Sequence, residues 1–261
     1  MTKKRLLRAL FELTSSRGVS FVLKSFTQSR LSRVLIPTCV RTFSVDTEEM
    51  ERSPASYRSL QELFTRRLRD GARPVDPDPD AVVSPVDGKL SSCETITAEH
   101  TFTVKGQRYS LLQMLGDAET ARPYRNGHYL IVYLSPRDYH RIHCPIGGAI
   151  VRRRELGRNS HPVNAAGLRW GNRPLSRNHR VIAELLVRGR RIMLVMVGAI
   201  CVNTIRITSD TTEPCKGEEL AYFSFGSTVV LLFERGSFIP DPAISVPQMV
   251  RMGMRLGVLR P

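Results

Sequence analysis

The sequence lacks long apolar runs. No stretch reaches the roughly 18 residues that a membrane-spanning helix needs. The basic N-terminus is not followed by the apolar segment and small-residue cleavage site of a signal peptide. We therefore expect a protein that stays in the cytoplasm and does not span the membrane.

Cysteine is also scarce. The five cysteines are odd in number and contain no C-x-x-C pair, so neither a disulfide framework nor a zinc site is indicated. We expect reduced, structural cysteines and no bound metal. With 261 residues, of which 41% are hydrophobic, the chain can bury a large core, as one domain with an appendage or as two small domains.

Acidic residues are few where the chain begins. The net charge is +15, and residues 1–45 hold nine Lys or Arg against a single acid, Glu12. Apolar residues at Leu6–Leu13, Val19–Phe26 and Leu31–Ile36, the last ending at Pro37, predict two or three short amphipathic helices. Such helices suit an anionic membrane interface. The competing interpretation is a helical subdomain packed on the rest of the protein.

Nucleic acid is the weaker partner for this charge. No base-stacking aromatic series, zinc knuckle or recognition helix accompanies the basic residues. We therefore expect no nucleic-acid binding.

The middle of the chain changes character near residue 80. Tyr57–Leu68 places Leu60, Leu63, Phe64 and Leu68 on one helical face, which ends at Gly71. The proline-punctuated segment 73–80 then predicts a boundary between a helical region, 1–80, and a strand-rich domain, 81–261. Asp87-Gly88 is a hairpin signal, and on sequence alone Asp87 is a turn residue.

A buried-type strand, Tyr129–Leu134, leads into Ser135–Pro145. Ser135, Pro136 and Asp138 form a helix-capping pattern that predicts a short helix with His140 and His143 on one face. Two histidines at this spacing can bind metal, but no third ligand stands at a recognisable distance. Structural histidines are the default for either residue alone.

Residues 223–233 read as two apolar strands separated by a small corner, Gly226-Ser227-Thr228. Taken alone, such a corner is usually a bulge where the backbone lies close to another group.

Together these segments resemble the phosphatidylserine decarboxylases of the pyruvoyl-dependent, short bacterial type. The resemblance is nearly full length, and its motifs fall in the family's order. It is carried by Phe64-Thr65-Arg66-Arg67 with Arg73-Pro74, by Ser84–Gly88, by Tyr139-His140 and His143, and by Gly226-Ser227 with the preceding Lys216–Leu220. The role of Phe64–Arg67 does not follow from the sequence. This chain departs from the pattern with His179 where relatives often carry Glu, with Asn203 where many have Gly, and with Phe225 where an aliphatic residue is usual; the role of His179 stays open.

The resemblance implies an α+β fold with a mainly antiparallel β core and an N-terminal amphipathic helical region. It implies self-cleavage between Gly226 and Ser227 into a β chain, 1–226, and an α chain, 227–261, whose first residue becomes a pyruvoyl cofactor. Asp87, His143 and Ser227 would act as orienting acid, general base and nucleophile. His140 would lie near the substrate and deliver a proton to its α-carbon.

The implied reaction converts phosphatidylserine to phosphatidylethanolamine and CO2 through a Schiff base. The resemblance places the enzyme peripherally on the cytoplasmic face of the cell membrane, with its two chains associated and a further homo-oligomer expected. Two alternatives stay open at this point: a pyruvoyl-dependent decarboxylase of a soluble amino acid, and a basic nucleic-acid-binding protein.

Overall fold

The N-terminal part of the protein is helical. A computed structural model describes residues 17–199, 205–224 and 226–260. Its first elements are α1 (Arg17–Gln28), a 3-10 helix (Arg30–Leu35), α2 (Ile36–Phe43), a 3-10 turn (Pro54–Ser56) and α3 (Leu60–Phe64). The helix expected at Leu6–Leu13 lies outside the described residues. Of the helices that are described, none has the length and apolar character needed to cross a membrane.

Two helix boundaries differ from the sequence-based expectation. Pro37 lies in the first turn of α2 and does not end a helix, because proline needs no hydrogen-bond acceptor in a first turn. The helix expected over Tyr57–Leu68 is confined to α3. Ser59 caps it by accepting a hydrogen bond from the Glu62 amide at 3.2 Å. The apolar side chains of these elements nevertheless form one small core, made of Ile36, Val45, Met50, Tyr57, Leu60 and Leu63.

The rest of the chain is mainly antiparallel sheet. The largest sheet has seven strands in the order β14-β2-β5-β12-β9-β8-β7. Their bounds are β2 Gly88–Thr95, β5 His128–Leu134, β7 Ala149–Leu156, β8 Arg180–Val187, β9 Arg190–Gly198, β12 Ser227–Phe233 and β14 Gln248–Val250. This architecture confirms the expected α+β class.

Smaller elements cover both faces of this sheet. One face packs against two three-stranded sheets, β10-β11-β6 and β1-β15-β13, and the other against the β3-β4 hairpin and short helices. These strands are β1 Ala81–Val83, β3 Thr101–Val104, β4 Gln107–Ser110, β6 Arg141–His143, β10 Ile205–Ile207, β11 Glu219–Phe223, β13 Phe238–Pro240 and β15 Arg255–Leu259. The helices are α4 Leu111–Leu115, α5 Ala118–Ala121, a 3-10 turn Arg122–Tyr124, α6 Ala165–Trp170 and α7 Pro174–Arg177.

The hairpin expected at Asp87-Gly88 is absent. Before it, β1 pairs with β15, and after it β2 pairs with β14 and β5. The polar turn therefore carries the chain from one sheet to another and not back along the same strand.

Strand β12 is the centre of the molecule. It pairs along its whole length with β5 on one side and β9 on the other, and all seven of its residues are buried. Because side chains alternate along a strand, Ser227 shares a face with Val229, Leu231 and Phe233. Those three side chains belong to the core that also contains Ile142 of β6 and Phe223 of β11. The first residue of the central strand is thus directed toward the layer that contains β6 and β11.

Candidate active site

The corner between β11 and β12 carries the chain from one layer to the other. Ser227 is the first residue of β12 and lies opposite Leu134 of β5 and Gly198 of β9. The Ser227 side chain is completely buried. Within the described part of the chain, its Oγ has no hydrogen-bond partner. A buried hydroxyl without a partner is costly to leave unsatisfied, so this position is a candidate for chemistry.

The two histidines lie on the segment that pairs with β11, and not on a helix. Residues 135–138 form a turn, closed when the Asp138 carboxylate accepts hydrogen bonds from the Ser135 amide and hydroxyl, both at 2.7 Å. The chain then continues into β6, which pairs with β11. The expected helix is therefore wrong, although the expected capping contact is present. The Phe223 amide donates to the His140 carbonyl at 2.9 Å, which joins the histidine segment to the strand that leads into the corner.

His143 is held as a neutral base. Its Nδ1 lies 2.8 Å from the Gly217 carbonyl, and its Nε2 lies 3.0 Å from the Tyr139 hydroxyl. A carbonyl oxygen can only accept, so Nδ1 carries the proton and Nε2 accepts from the phenol. Burial lowers the pKa of His143, and the Gly217 contact and the nearby carboxylates Glu219 and Asp87 partly oppose that effect.

His140 has the same tautomer as His143 and is more completely buried. Its Nδ1 donates to the Asp138 carbonyl at 2.8 Å. Burial, followed by the positive charge of Arg66, lowers the pKa of His140 to about 4. Its Nε2 is buried and lacks a partner among the residues that the structure describes. At neutral pH this nitrogen is therefore a free acceptor of a proton.

Asp87 lies close to His143 without bonding to its ring. The His143 amide donates to the Pro85 carbonyl at 2.8 Å, which brings the Asp87 turn alongside β6. The Asp87 carboxylate accepts from Arg73 Nη2 at 2.5 Å and from the Met252 amide at 2.8 Å. Both ring nitrogens of His143 have other partners, so in the uncleaved chain Asp87 acts on the ring through its charge.

A polar cavity of about 310 Å³ opens beside Asp87 and Tyr139. It lies between the N-terminal region, the segment after α3, the histidine turn and β14. Its lining includes four arginines, Arg66, Arg73, Arg137 and Arg251, and four acids, Asp46, Glu49, Asp87 and Asp138. The balanced charges leave the cavity without a strong net attraction for either sign of ion.

Sequence patterns alone assigned no role in the site to three of these groups, namely Arg73, Tyr139 and the Gly217 carbonyl. Arg73 stands in the Arg-Pro pair that carried the resemblance, and Tyr139 directly precedes His140, so both had a signal that could have been followed. The Gly217 carbonyl had none, because a backbone acceptor is identified only once β6 and β11 are paired.

His179 lies on the same side of the sheet as Ser227. Its backbone binds Gly198, the β9 partner of Ser227, with the Gly198 amide donating to the His179 carbonyl at 3.0 Å. The ring Nε2 contacts the Glu155 carboxylate. Gly198 lies between His179 and Ser227 across the neighbouring strands. Because it has no side chain, no side chain separates the two residues along this line.

The candidate residues are thus a buried serine at a strand corner and two neutral histidines, of which His140 has an Nε2 without a partner among the described residues. No cluster of three or more His, Cys, Asp or Glu side chains suited to a metal ion occurs within the described ranges. Serine and neutral histidine are residue types that nucleophilic catalysis uses.

Comparison with known sequences agrees with this class. The profile of the family described as phosphatidylserine decarboxylase matches residues 60–258. A phosphatidylserine decarboxylase proenzyme of Geobacillus kaustophilus is 50% identical over 255 residues, covering 98% of this chain and 97% of that protein. Proenzymes of the same name from Bacillus thuringiensis subsp. konkukian and Bacillus mycoides are 45% and 44% identical, with 97% of each chain covered. The chain belongs to the phosphatidylserine decarboxylase family, and these names favour neither alternative function.

We predict that Arg73 is needed mainly because Asp87 is buried. In an uncleavable Ser227→Ala background, Arg73→Met should lower the free energy of unfolding by about 3–5 kcal/mol, since it leaves a buried carboxylate unpaired. Adding Asp87→Asn should recover part of the loss. Chemical denaturation measures both, and the exposed Arg67 provides the control, with Arg67→Met costing about 0.5 kcal/mol or less. Equal stability of the Arg73 and Arg67 variants would contradict the assignment.

Proposed function

We propose that this chain is a phosphatidylserine decarboxylase that is made as a proenzyme and cleaves itself between Gly226 and Ser227. The products are a β chain, 1–226, and an α chain, 227–261. The mature enzyme releases CO2 from phosphatidylserine and leaves phosphatidylethanolamine. The single observation that best supports the proposal is the buried, unpartnered Ser227 hydroxyl at the start of the central strand, in a chain that belongs to this family.

The residues at the corner fit a pyruvoyl group made from Ser227. Attack of Ser227 Oγ on the Gly226 carbonyl carbon replaces the peptide bond by an ester. Elimination then breaks the Ser227 Cβ–O bond, leaving the Gly226 carboxylate on one chain and a dehydroalanine on the other. Hydrolysis of the dehydroalanine releases ammonia and leaves a ketone at residue 227. Gly226 suits the reacting carbonyl because it has no Cβ to block the approach.

His143 serves as the base in maturation. Its Nε2 has the lone pair, so it can take the proton from Ser227 Oγ and pass it to the departing amide nitrogen. The Tyr139 hydroxyl occupies Nε2 in the uncleaved chain, and that hydrogen bond must open first. The negative charge of Asp87 stabilises the imidazolium while it exists.

His140 serves the mature enzyme. A ketone at residue 227 would supply an electron acceptor for the bond to the departing carboxylate once the substrate amine is joined to it. His140 Nε2 carries no proton at rest, so it cannot begin as an acid. Replacement of the carboxylate by a C–H bond consumes one proton, which water supplies overall, so Nε2 must first accept a proton and then pass it to the α-carbon where CO2 departs.

The experiment for the processing step is a gel of wild type beside Ser227→Ala and His143→Ala. Wild type should separate into two chains, and Ser227→Ala should remain one chain because no other hydroxyl stands at the position that becomes the ketone. His143→Ala should remain largely uncut. Two chains from the Ser227 variant would end the assignment.

His140→Ala should separate the two reactions. We expect it to mature, at least in part, and to decarboxylate about 10² to 10⁴ times more slowly, the usual contribution of a positioned proton-transfer group. The rate of CO2 release per processed chain is the measurement. A processed variant with normal turnover would remove His140 from the site, whereas failure to mature would assign it to cleavage.

We further propose that residues 1–80 form a helical, membrane-associating region on the catalytic domain, 81–261, and hold the enzyme peripherally on the cytoplasmic face of the cell membrane. Six large apolar side chains in this region are exposed, Val22, Phe26, Leu31, Val34, Leu35 and Phe43. Basic side chains at Lys24, Arg30, Arg33 and Arg41 stand among them. Exposed apolar and basic groups together suit an anionic lipid surface, where each basic residue contributes about 1 kcal/mol.

The membrane proposal predicts that Leu31→Glu with Val34→Glu weakens binding to phosphatidylserine vesicles by about tenfold or more, because these side chains are 75% and 77% exposed. Self-cleavage should be unchanged. Leu112→Glu is the control, since Leu112 is 49% exposed on α4, in a different part of the fold. Vesicle co-sedimentation measures binding, and equal binding of all three proteins would contradict the proposal.

A further inference from the structure

The last residue of α3 and the two residues after it have no role in the mechanism above, yet they contact the histidine turn at several points. Phe64 places its ring edge-on to the His140 ring, with centroids 5.7 Å apart. The Thr65 carbonyl accepts from Arg141 Nε at 3.1 Å and from its Nη2 at 2.9 Å. Arg66 Nη2 donates to the Arg137 and Asp138 carbonyls at 2.7 and 3.1 Å. Three consecutive residues thus hold the turn from one side.

Arg66 is the unusual member of this set. It is only 4% exposed, and across the described ranges it forms no ion pair with a carboxylate. The acceptors recorded for its guanidinium are backbone carbonyls, those of Leu63, Arg137 and Asp138. Burying a cation with no carboxylate in direct contact is expensive; burial lowers the pKa of Arg66, and the nearby charges of Asp87 and Asp138 only partly oppose that effect.

The Asp138 carbonyl joins Arg66 to His140. It accepts one hydrogen bond from Arg66 Nη2 and another from His140 Nδ1. Nη2 donates to two successive carbonyls while Nη1 donates to the Leu63 carbonyl, so the planar guanidinium is held at both nitrogens and fixes the orientation of the Asp138 backbone. With the carbonyl directed at Nδ1, that nitrogen must carry the proton and Nε2 must be bare.

The charge of Arg66 acts in the same direction as this geometry. Within the described ranges, the His140 ring contacts Phe64, the last residue of α3, and the Asp138 carbonyl of its own turn, and Arg66 is the charged side chain that lowers its pKa. Strand β11 contacts the His140 backbone through the Phe223 amide. A neighbouring cation disfavours a second positive charge on the ring. Geometry and charge therefore both select the neutral ring with a free Nε2.

We infer that Arg66 is a positioning residue that keeps His140 in its neutral, Nδ1-protonated tautomer, so that Nε2 is free to carry the proton that reaches the substrate's α-carbon. The catalytic part of this inference rests on the proposed function. The effect of Arg66 on the state of the His140 ring does not.

The test separates these two parts. Chains carrying Ser227→Ala are labelled with ¹⁵N-histidine, and the His140 resonance is assigned with His140→Gln. In the parent, His140 should show a single Nδ1-protonated tautomer and begin to titrate only near pH 4. Arg66→Met should raise the pH midpoint of the His140 titration by about one unit or more, because a nearby positive charge is lost. It should also give a mixture of the two tautomers, because the hydrogen bonds to the Arg137 and Asp138 carbonyls are lost. Arg67→Met, at the exposed neighbouring arginine, should leave both properties as in the parent.

Arg66→Lys covers the case in which the Met variant does not fold. This variant keeps the positive charge but replaces the planar guanidinium by a single ammonium group. The His140 titration should therefore keep its low midpoint, while the ring should show both tautomers. If Arg66→Lys, or a folded Arg66→Met, leaves the His140 tautomer as in the parent, the inference is overturned. An equal shift in Arg67→Met would overturn it as well, by showing that any lost cation has this effect.

Activity adds a readout for the substrate step. In chains that keep Ser227 and have been cleaved, Arg66→Lys should lower turnover while changing KM little. Arg67→Lys, in the same chains, should match wild type. If His140→Ala decarboxylates normally, the proposed role of His140 fails, but the NMR result still decides whether Arg66 controls the state of that ring.

Discussion

The complete pairing of β12 is the constraint on which the rest of the site depends. Seven buried residues are joined on both sides to β5 and β9, so the strand cannot leave the sheet without exposing the centre of the core. Cleavage just before Ser227 would release one end of this strand but none of its pairings. The new N-terminus would stay in place, which explains how two chains from one precursor can act as one enzyme.

A second constraint is that two histidine rings of the site are excluded from water. His140 and His143 are both buried, and each donates its Nδ1–H to a backbone carbonyl rather than to a carboxylate. This arrangement leaves two neutral rings with Nε2 as the active nitrogen. One is engaged by Tyr139, beside the charge of Asp87, while the other has no partner among the described residues. The two histidines therefore differ in environment, and the two tasks that we propose for them follow from that difference.

The sequence predicted the parts of the site better than their arrangement. The apolar strands around Ser227, the buried strand at Tyr129–Leu134 and the exposed basic helices follow from residue patterns, because strand alternation and helical spacing are local properties. The hairpin at Asp87-Gly88 and the helix bearing His140 and His143 were wrong. In both cases the local turn signal was real, but pairing with β5 and β11, which are distant in sequence, decided where the chain went next.

The central question is whether Ser227 becomes the pyruvoyl residue that starts the α chain, with its α-carbon as the ketone carbon and its hydroxyl oxygen left on the Gly226 carboxylate. Intact mass spectrometry of the purified wild-type protein, before and after borohydride reduction, addresses this directly. We expect two chains that divide the sequence after Gly226, with an α chain blocked to N-terminal sequencing whose mass rises by two hydrogens on reduction. A single chain with Ser227 intact, or an α chain beginning with unmodified serine, would contradict the account.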